Sequence, residues 1–186
     1  MTAPGGDLSI LSVCTRNRTR SVMIAALLSR HLLESGASAH VTSAGITAET
    51  LAPIHGVAEQ LRRLGVSLPP YVGRQVDSEI ARSADLIVTA EPQHVVWIAG
   101  RWPDVFERTY TLPELVTYGD VVGPRRGRSL ATWLAEVSAL RPPPKVYLEP
   151  QSVAALLDPT GAPEPIWVDV ADRIDDACRR LTDLVA

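Results

Sequence analysis

The sequence predicts an α/β fold, a three-layer αβα arrangement with a central four-stranded parallel sheet, and two observations carry that prediction. Short apolar runs of strand character alternate along the chain with segments whose apolar residues recur at helical spacing. A βαβα order of this kind builds a parallel sheet covered by helices on both faces. The second observation is the run Val13-Cys14-Thr15-Arg16-Asn17-Arg18-Thr19-Arg20-Ser21 between the first strand and the first helix. Ligands of open parallel sheets bind outside the carboxyl ends of the strands, and Cys14 falls at such an end. Pattern and motif therefore point to one location for a site.

Each element has its own signal. Leu8 to Val13 reads as an apolar strand. Val22 to Leu28 opens a helix that Gly36 can end. His40-Val41-Thr42-Ser43 reads as a second strand, turned by Ala44-Gly45. Ile54, Val57, Ala58, Leu61 and Leu64 share one helix face, and Gly65 closes that helix. Asp77 is placed as the N-cap of a short helix. Leu86 to Ala90 is a buried strand, Pro92 to Gly100 a helix, and Thr109 to Leu112 the fourth strand. Leu130, Trp133, Leu134, Val137 and Leu140 make another amphipathic face, which Arg141-Pro142-Pro143-Pro144 stops. Trp167, Val170, Ile174, Ala177, Leu181 and Leu184 mark the last helix.

The chain is read as a single domain over 1–186, with 1–7 a flexible lead and 119–151 the least regular part, an elaboration of the same domain. A formal net charge of -3 argues against nucleic acid or an anionic membrane surface as the main partner. No apolar run approaches a membrane span, and the first seven residues lack the regions of a signal peptide. The two cysteines, Cys14 and Cys178, do not make a disulfide framework. Cytoplasmic residence is the expectation. The four histidines show no metal-ligand spacing, so no metal or other cofactor is expected, and Cys178 reads as a core thiol. The sequence sets no oligomeric state.

The loop after the first strand has a chemical logic. Five residues separate Cys14 from Arg20, enough for the backbone to curl so that its N–H groups point inward. Those donors, the start of the helix and Arg20 would form a concave anion site. The same positive field favours the thiolate and makes Cys14 a nucleophile. A cysteine phosphatase also needs a carboxyl group that protonates the leaving oxygen and later activates water. Asp158, in Leu157-Asp158-Pro159-Thr160-Gly161, lies on a loop that a proline stiffens and a glycine turns.

On these two motifs the chain resembles the low-molecular-weight protein tyrosine phosphatase family over nearly its whole length. The family loop reads Cys-x-Gly-Asn-x-Cys-Arg-Ser-Pro, and Cys14, Asn17, Arg20 and Ser21 match it. Ser43-Ala44-Gly45, Ala84-Asp85-Leu86-Ile87 and Asp158-Pro159 match as well. The departures are specific. Arg16 stands where the family has glycine, Thr19 replaces the second cysteine, and Val22 replaces the proline. Tyr71 stands where a histidine is often found, and Glu49 about where a tryptophan is common. The aromatic wall that grips a phosphotyrosine ring is therefore thin.

The resemblance implies that Cys14 forms a phosphocysteine, Arg20 clamps two phosphoryl oxygens, and the amides of the loop Thr15, Arg16, Asn17, Arg18, Thr19 and Arg20 hold the remaining charge. Asp158 is the implied acid. Ser21 is expected to hydrogen-bond the thiolate or to cap the helix, or both. Asn17 is expected to hold the loop through a left-handed backbone, and Ser43 to support it or to serve as a turn residue. Arg16 and Arg18 are specificity residues or solvated charges. The implied function is hydrolysis of phosphotyrosine or another phosphomonoester, on a phosphorylated protein or a small molecule. Two alternatives stay open. One is a mycothiol-coupled arsenate reductase, which needs only one protein cysteine; the thioredoxin-coupled type needs two more than the chain supplies. The other is a non-catalytic phosphate-binding module.

Overall fold

A computed structural model describes residues 8–68, 70–149 and 153–186. The lead Met1–Asp7 and positions 150–151 at the end of the expected elaboration lie outside the described residues. In chain order the elements are β1 (Leu8–Cys14), α1 (Arg20–Glu34), β2 (Ala39–Gly45), α2 (His55–Arg63), α3 (Ser78–Ser83), β3 (Leu86–Thr89), α4 (Pro92–Arg101), β4 (Thr109–Thr111), α5 (Leu112–Val122), α6 (Leu130–Ser138) and α7 (Glu164–Val185), with short 3-10 segments at Pro103–Arg108 and Pro144–Leu148.

The four strands form one sheet in the order β2-β1-β3-β4, and every pairing is parallel. Side-chain alternation along β1 divides the core. Ile10 and Cys14 face the larger cluster with α1, α5 and α7, while Leu11 and Val13 face a second cluster with Ala81 of α3 and Ile98 of α4. Two-residue periodicity in a strand buried on both sides produces this split. Strand order reverses between β1 and β3, so the carboxyl ends of those two strands flank a switch point.

Three local expectations are corrected. β2 does not turn at Ala44-Gly45 but runs on through Gly45, which pairs with Cys14. A Cβ at Gly45 would sit 2.7 Å from the Thr15 carbonyl oxygen, so the strand can lie against the loop only because this residue has no side chain. Leu112 does not end β4; it opens α5, where the Thr111 hydroxyl caps the Glu114 N–H at 3.2 Å and Glu114 returns a bond to the Thr111 N–H. Finally, Ala58 points to solvent, and Gln60 takes the buried position beside Leu61.

Candidate active site

Cys14 is the last residue of β1, and Arg20 is the first residue of α1. The loop between them is fixed from outside through its carbonyls. Ile46 and Thr47 N–H groups donate to the Cys14 and Thr15 carbonyls at 3.0 and 2.9 Å, and Ile54 N–H donates to that of Arg18 at 3.0 Å. Among the described residues the Thr15 to Thr19 N–H groups donate to no protein acceptor. Outward carbonyls and unused amides are the backbone arrangement of an anion nest. Asn17 supplies the bend, with φ 54°, in the left-handed region that asparagine tolerates.

A chain of hydrogen bonds runs from β2 to Cys14. Ser43 Oγ lies 3.0 Å from the Tyr71 hydroxyl. That hydroxyl donates to Asn17 Oδ1, which also accepts from the Arg74 N–H at 3.0 Å. Asn17 Nδ2 donates to Ser21 Oγ at 2.9 Å, and Ser21 Oγ lies 3.0 Å from Cys14 Sγ. An amide NH2 can only donate, so Ser21 accepts from Asn17 and keeps its own proton for the sulfur. Every donor in the chain then points toward Cys14. Ser21 is not the helix cap: Thr19 holds that position, without a side-chain cap bond. Ser43 reaches Asn17 only through the Tyr71 hydroxyl among the described residues.

Arg20 is 2 % exposed and is held by three acceptors from two segments, the stretch after β3 and the Leu156–Asp158 loop. Its Nη1 donates to Glu91, just after β3, and to the Leu156 carbonyl at 2.9 Å. Its Nη2 donates to Asp158 Oδ2 at 2.9 Å. Its Nε is buried and has no partner among the described residues. Asp158 is braced on its other oxygen by the Thr160 N–H at 3.0 Å and hydroxyl at 2.7 Å. Burial works to raise the Asp158 pKa, but the bonds from Thr160 and the Arg20 charge outweigh it, so the carboxyl sits below its usual value.

Sequence reasoning passed over Glu91 and His94. The Glu91 N–H donates to His94 Nδ1 at 3.1 Å, so the ring proton resides on Nε2, which lies 3.0 Å from Thr15 Oγ1. His94 therefore donates to Thr15 and leaves the threonine proton free for the pocket that Thr15 lines. Burial above all, with the Arg20 charge, drives the His94 pKa down to about 3 against an opposing pull from Asp158. The available signal was position: Glu91-Pro92-Gln93-His94 follows β3 after the single residue Ala90, at the switch point.

Cys14, Thr15, Arg16, Arg18, Thr19, Ile54, Asp158 and Thr160 together line a pocket of about 330 Å³. Of the residues the sequence marked out, Cys14, Asp158 and four loop residues face it, while Arg20 is joined to Asp158 directly. Asn17, Ser21 and Ser43 stand behind Cys14. Among the described residues no cluster of His, Cys, Asp or Glu could hold a metal ion.

Comparison with known proteins follows the same geometry. The family model described as low molecular weight phosphotyrosine protein phosphatase matches residues 9–118, a stretch that contains the loop, β2 and β3. A protein-arginine-phosphatase of Bacillus subtilis is 34% identical over 124 residues, spanning 64% of this chain and 81% of that protein. The low molecular weight protein-tyrosine-phosphatase Etp of Escherichia coli is 31% identical over 119 residues, spanning 63% of this chain and 78% of that protein. In fold, the chain is similar to a mutant of YwlE from Bacillus subtilis, with a TM-score of 0.73 at 24% identity over 95% of this chain and 97% of the other. It is also similar to Wzb of Vibrio vulnificus, with a TM-score of 0.68 at 20% identity over 95% and 98%. With the loop, its cysteine and its arginine all inside the matched stretch, the chain belongs to the low molecular weight phosphotyrosine protein phosphatase family and is a cysteine-dependent phosphatase.

Proposed function

We propose that Cys14, Arg20 and Asp158 carry hydrolysis of a phosphomonoester in two steps, within one domain of which 119–151 is an elaboration. The observation that supports this most is the convergence of Cys14 and Asp158 on one pocket, with buried Arg20 bonded to Asp158 at 2.9 Å. In the first step the Cys14 thiolate attacks phosphorus and the bond to the leaving oxygen breaks. That oxygen takes the Asp158 proton as it departs. In the second step water attacks phosphorus, Asp158 accepts its proton, and the sulfur–phosphorus bond breaks. Ser21 stabilises the returning thiolate. The unused loop amides and the Arg20 guanidinium neutralise the phosphoryl oxygens throughout.

The low Asp158 pKa is consistent with this role once the substrate is considered. A phosphoryl dianion in the loop shares the guanidinium that holds the carboxyl down. It also adds a negative neighbour, so the Asp158 pKa rises and the group can carry a proton. The relatives bear names for two substrate types, phosphoarginine for the Bacillus protein and phosphotyrosine for the Escherichia one. Phosphotyrosine or another phosphomonoester, on a protein or a small molecule, is the reading for this chain.

The test is turnover of an aryl phosphate by wild type, Cys14→Ser and Asp158→Asn, with phosphotyrosine, phosphoserine and phosphoarginine peptides run beside it. Cys14→Ser is expected to abolish turnover and still bind phosphate. Asp158→Asn is expected to lose about 10² to 10⁴ in kcat on phenyl phosphate and much less on p-nitrophenyl phosphate, whose leaving group needs no proton. Undiminished turnover by Cys14→Ser sinks the mechanism. Equal losses on the two esters remove Asp158 from the acid role.

A further inference from the structure

The pocket mouth is unusual for a phosphatase of aromatic esters. Among the described residues that line it there is no aromatic ring, and there are two arginines. Arg18 is half-buried and pinned, its Nε donating to the Ala52 carbonyl at 2.9 Å. Arg16 is exposed. Elsewhere the chain matches many of its arginines with carboxylates: Arg30 with Asp175, Arg63 with Asp172, Arg82 with Asp104, Arg180 with Asp120. Among the described residues neither Arg16 nor Arg18 has a carboxylate partner. The protein as a whole is acidic, at -3, so this is a local cationic rim on an anionic body.

We infer that the rim formed by Arg16 and Arg18 selects substrates that carry a second anionic group, a carboxylate, beside the phosphoryl group. The inference rests on the phosphatase reading of the pocket. Arg20, the unused loop amides and the helix start already serve the phosphoryl charge, so the two outer guanidiniums are surplus to it. Their planar forks suit a carboxylate. Arg18 is held by the Ala52 carbonyl, so less side-chain freedom is lost when its remaining donors engage an anion. A carboxylate of this kind has two sources, an acidic residue flanking a phosphorylated residue in a peptide or a carboxyl group of a small phosphate ester.

The experiment reads a ratio within each protein variant, so loss of basal activity does not obscure it. One arm compares kcat/KM for 3-carboxyphenyl phosphate with that for phenyl phosphate. A second arm compares phosphotyrosine peptides flanked by Asp and Glu with the same peptides carrying Asn and Gln. A third measures binding of phenylphosphonate and 3-carboxyphenylphosphonate by calorimetry, which needs no turnover. Wild type is expected to favour the carboxylate by about three- to tenfold, a preference that shrinks as salt rises. Arg16→Ala with Arg18→Ala is expected to bring the ratio to one, and the Lys pair to restore part of it. Preference in the small-molecule arms alone assigns a small substrate; preference in the peptide arm as well assigns an acidic phosphopeptide. A wild-type ratio of one in every arm, or a ratio that survives in the double Ala variant, overturns the inference. Absence of Cys14-dependent turnover with the binding preference intact would instead remove the phosphatase reading and leave the rim as an anion selector.

Discussion

Single side chains set the chemistry, and Tyr71 shows how. A histidine is expected at this position by family resemblance, and a tyrosine hydroxyl does the joining here. It donates to Asn17 while lying against Ser43, and the bonds continue through Ser21 to Cys14. Tyr71 is a positioning residue, since it reaches the sulfur only through two others. Tyr71→Phe removes one donor from a chain that ends on the Cys14 sulfur, while the Arg74 N–H still holds Asn17. We expect kcat to fall by about three- to tenfold, the scale of one hydrogen bond of about 1 kcal/mol, with KM nearly unchanged. An unchanged kcat would show that the chain does not stabilise the sulfur. That Cys14, Arg20, Asn17 and Asp158 gather at one place was legible in the sequence because their residue types and spacing mark them out. Tyr71 was visible as a departure, but its role was not: its partner Asn17 is 54 residues away, and no local pattern reports that contact.

Elements bring distant positions to the switch point. β1 ends at Cys14, and the N-terminus of α4 follows β3 with Glu91 and His94. β1, the loop and α1 could be read in order, because apolar runs and a cysteine–arginine spacing mark them. α5 was missed because Leu112-Pro113 reads as the end of a strand; Thr111 and Glu114, a capping pair three apart, were the overlooked signal. His94 at α4 gives this scale its prediction. Its folded pKa, about 3, lies below the ordinary 6.5. Between these values the unfolded chain binds more protons, so stability rises with pH across that window and is lost as pH falls through it. The depressed Asp158 pKa acts in the same direction. Urea midpoints measured from pH 7 to 3 should decline for wild type and decline less steeply for His94→Gln. Parallel curves would mean that His94 titrates normally in the folded protein.

At the level of the whole molecule, the part beyond the matched stretch brings Asp158 to the pocket. Asp158 lies after residue 118, and the intervening chain is tied down by Arg141. This buried guanidinium donates to the Thr109 carbonyl at 2.8 Å, the Phe106 carbonyl at 3.1 Å and the Tyr147 hydroxyl at 2.9 Å. It faces Glu114 at 3.4 Å, both side chains at most 3 % exposed, and lies 4.1 Å from the Tyr110 ring centre. The chain then returns to the strand ends through Thr111 to the Ala154 carbonyl and Leu156 N–H to the Ala90 carbonyl, each 2.8 Å. The stretch 119–151 reads in the sequence only as the least regular part; the contacts of its Arg141 with Phe106, Thr109 and Glu114 are announced by no spacing within the segment. Arg141→Ala leaves Glu114 buried without its cation, and we expect a loss of about 3 to 5 kcal/mol in urea unfolding. A loss under about 0.5 kcal/mol, the range of ordinary surface substitutions, would mean that the clamp is not structural.

The most direct test of the account is to trap the intermediate. In the proposed mechanism Asp158→Ala slows the second step, so enzyme mixed with p-nitrophenyl phosphate and quenched in acid within the first turnover should carry one phosphoryl group, located by mass spectrometry on Cys14. The account predicts that modification on Cys14 and none in Cys14→Ser under the same conditions. Steady turnover with no phosphoryl group on Cys14 at any quench time, or with one on another residue, would contradict it.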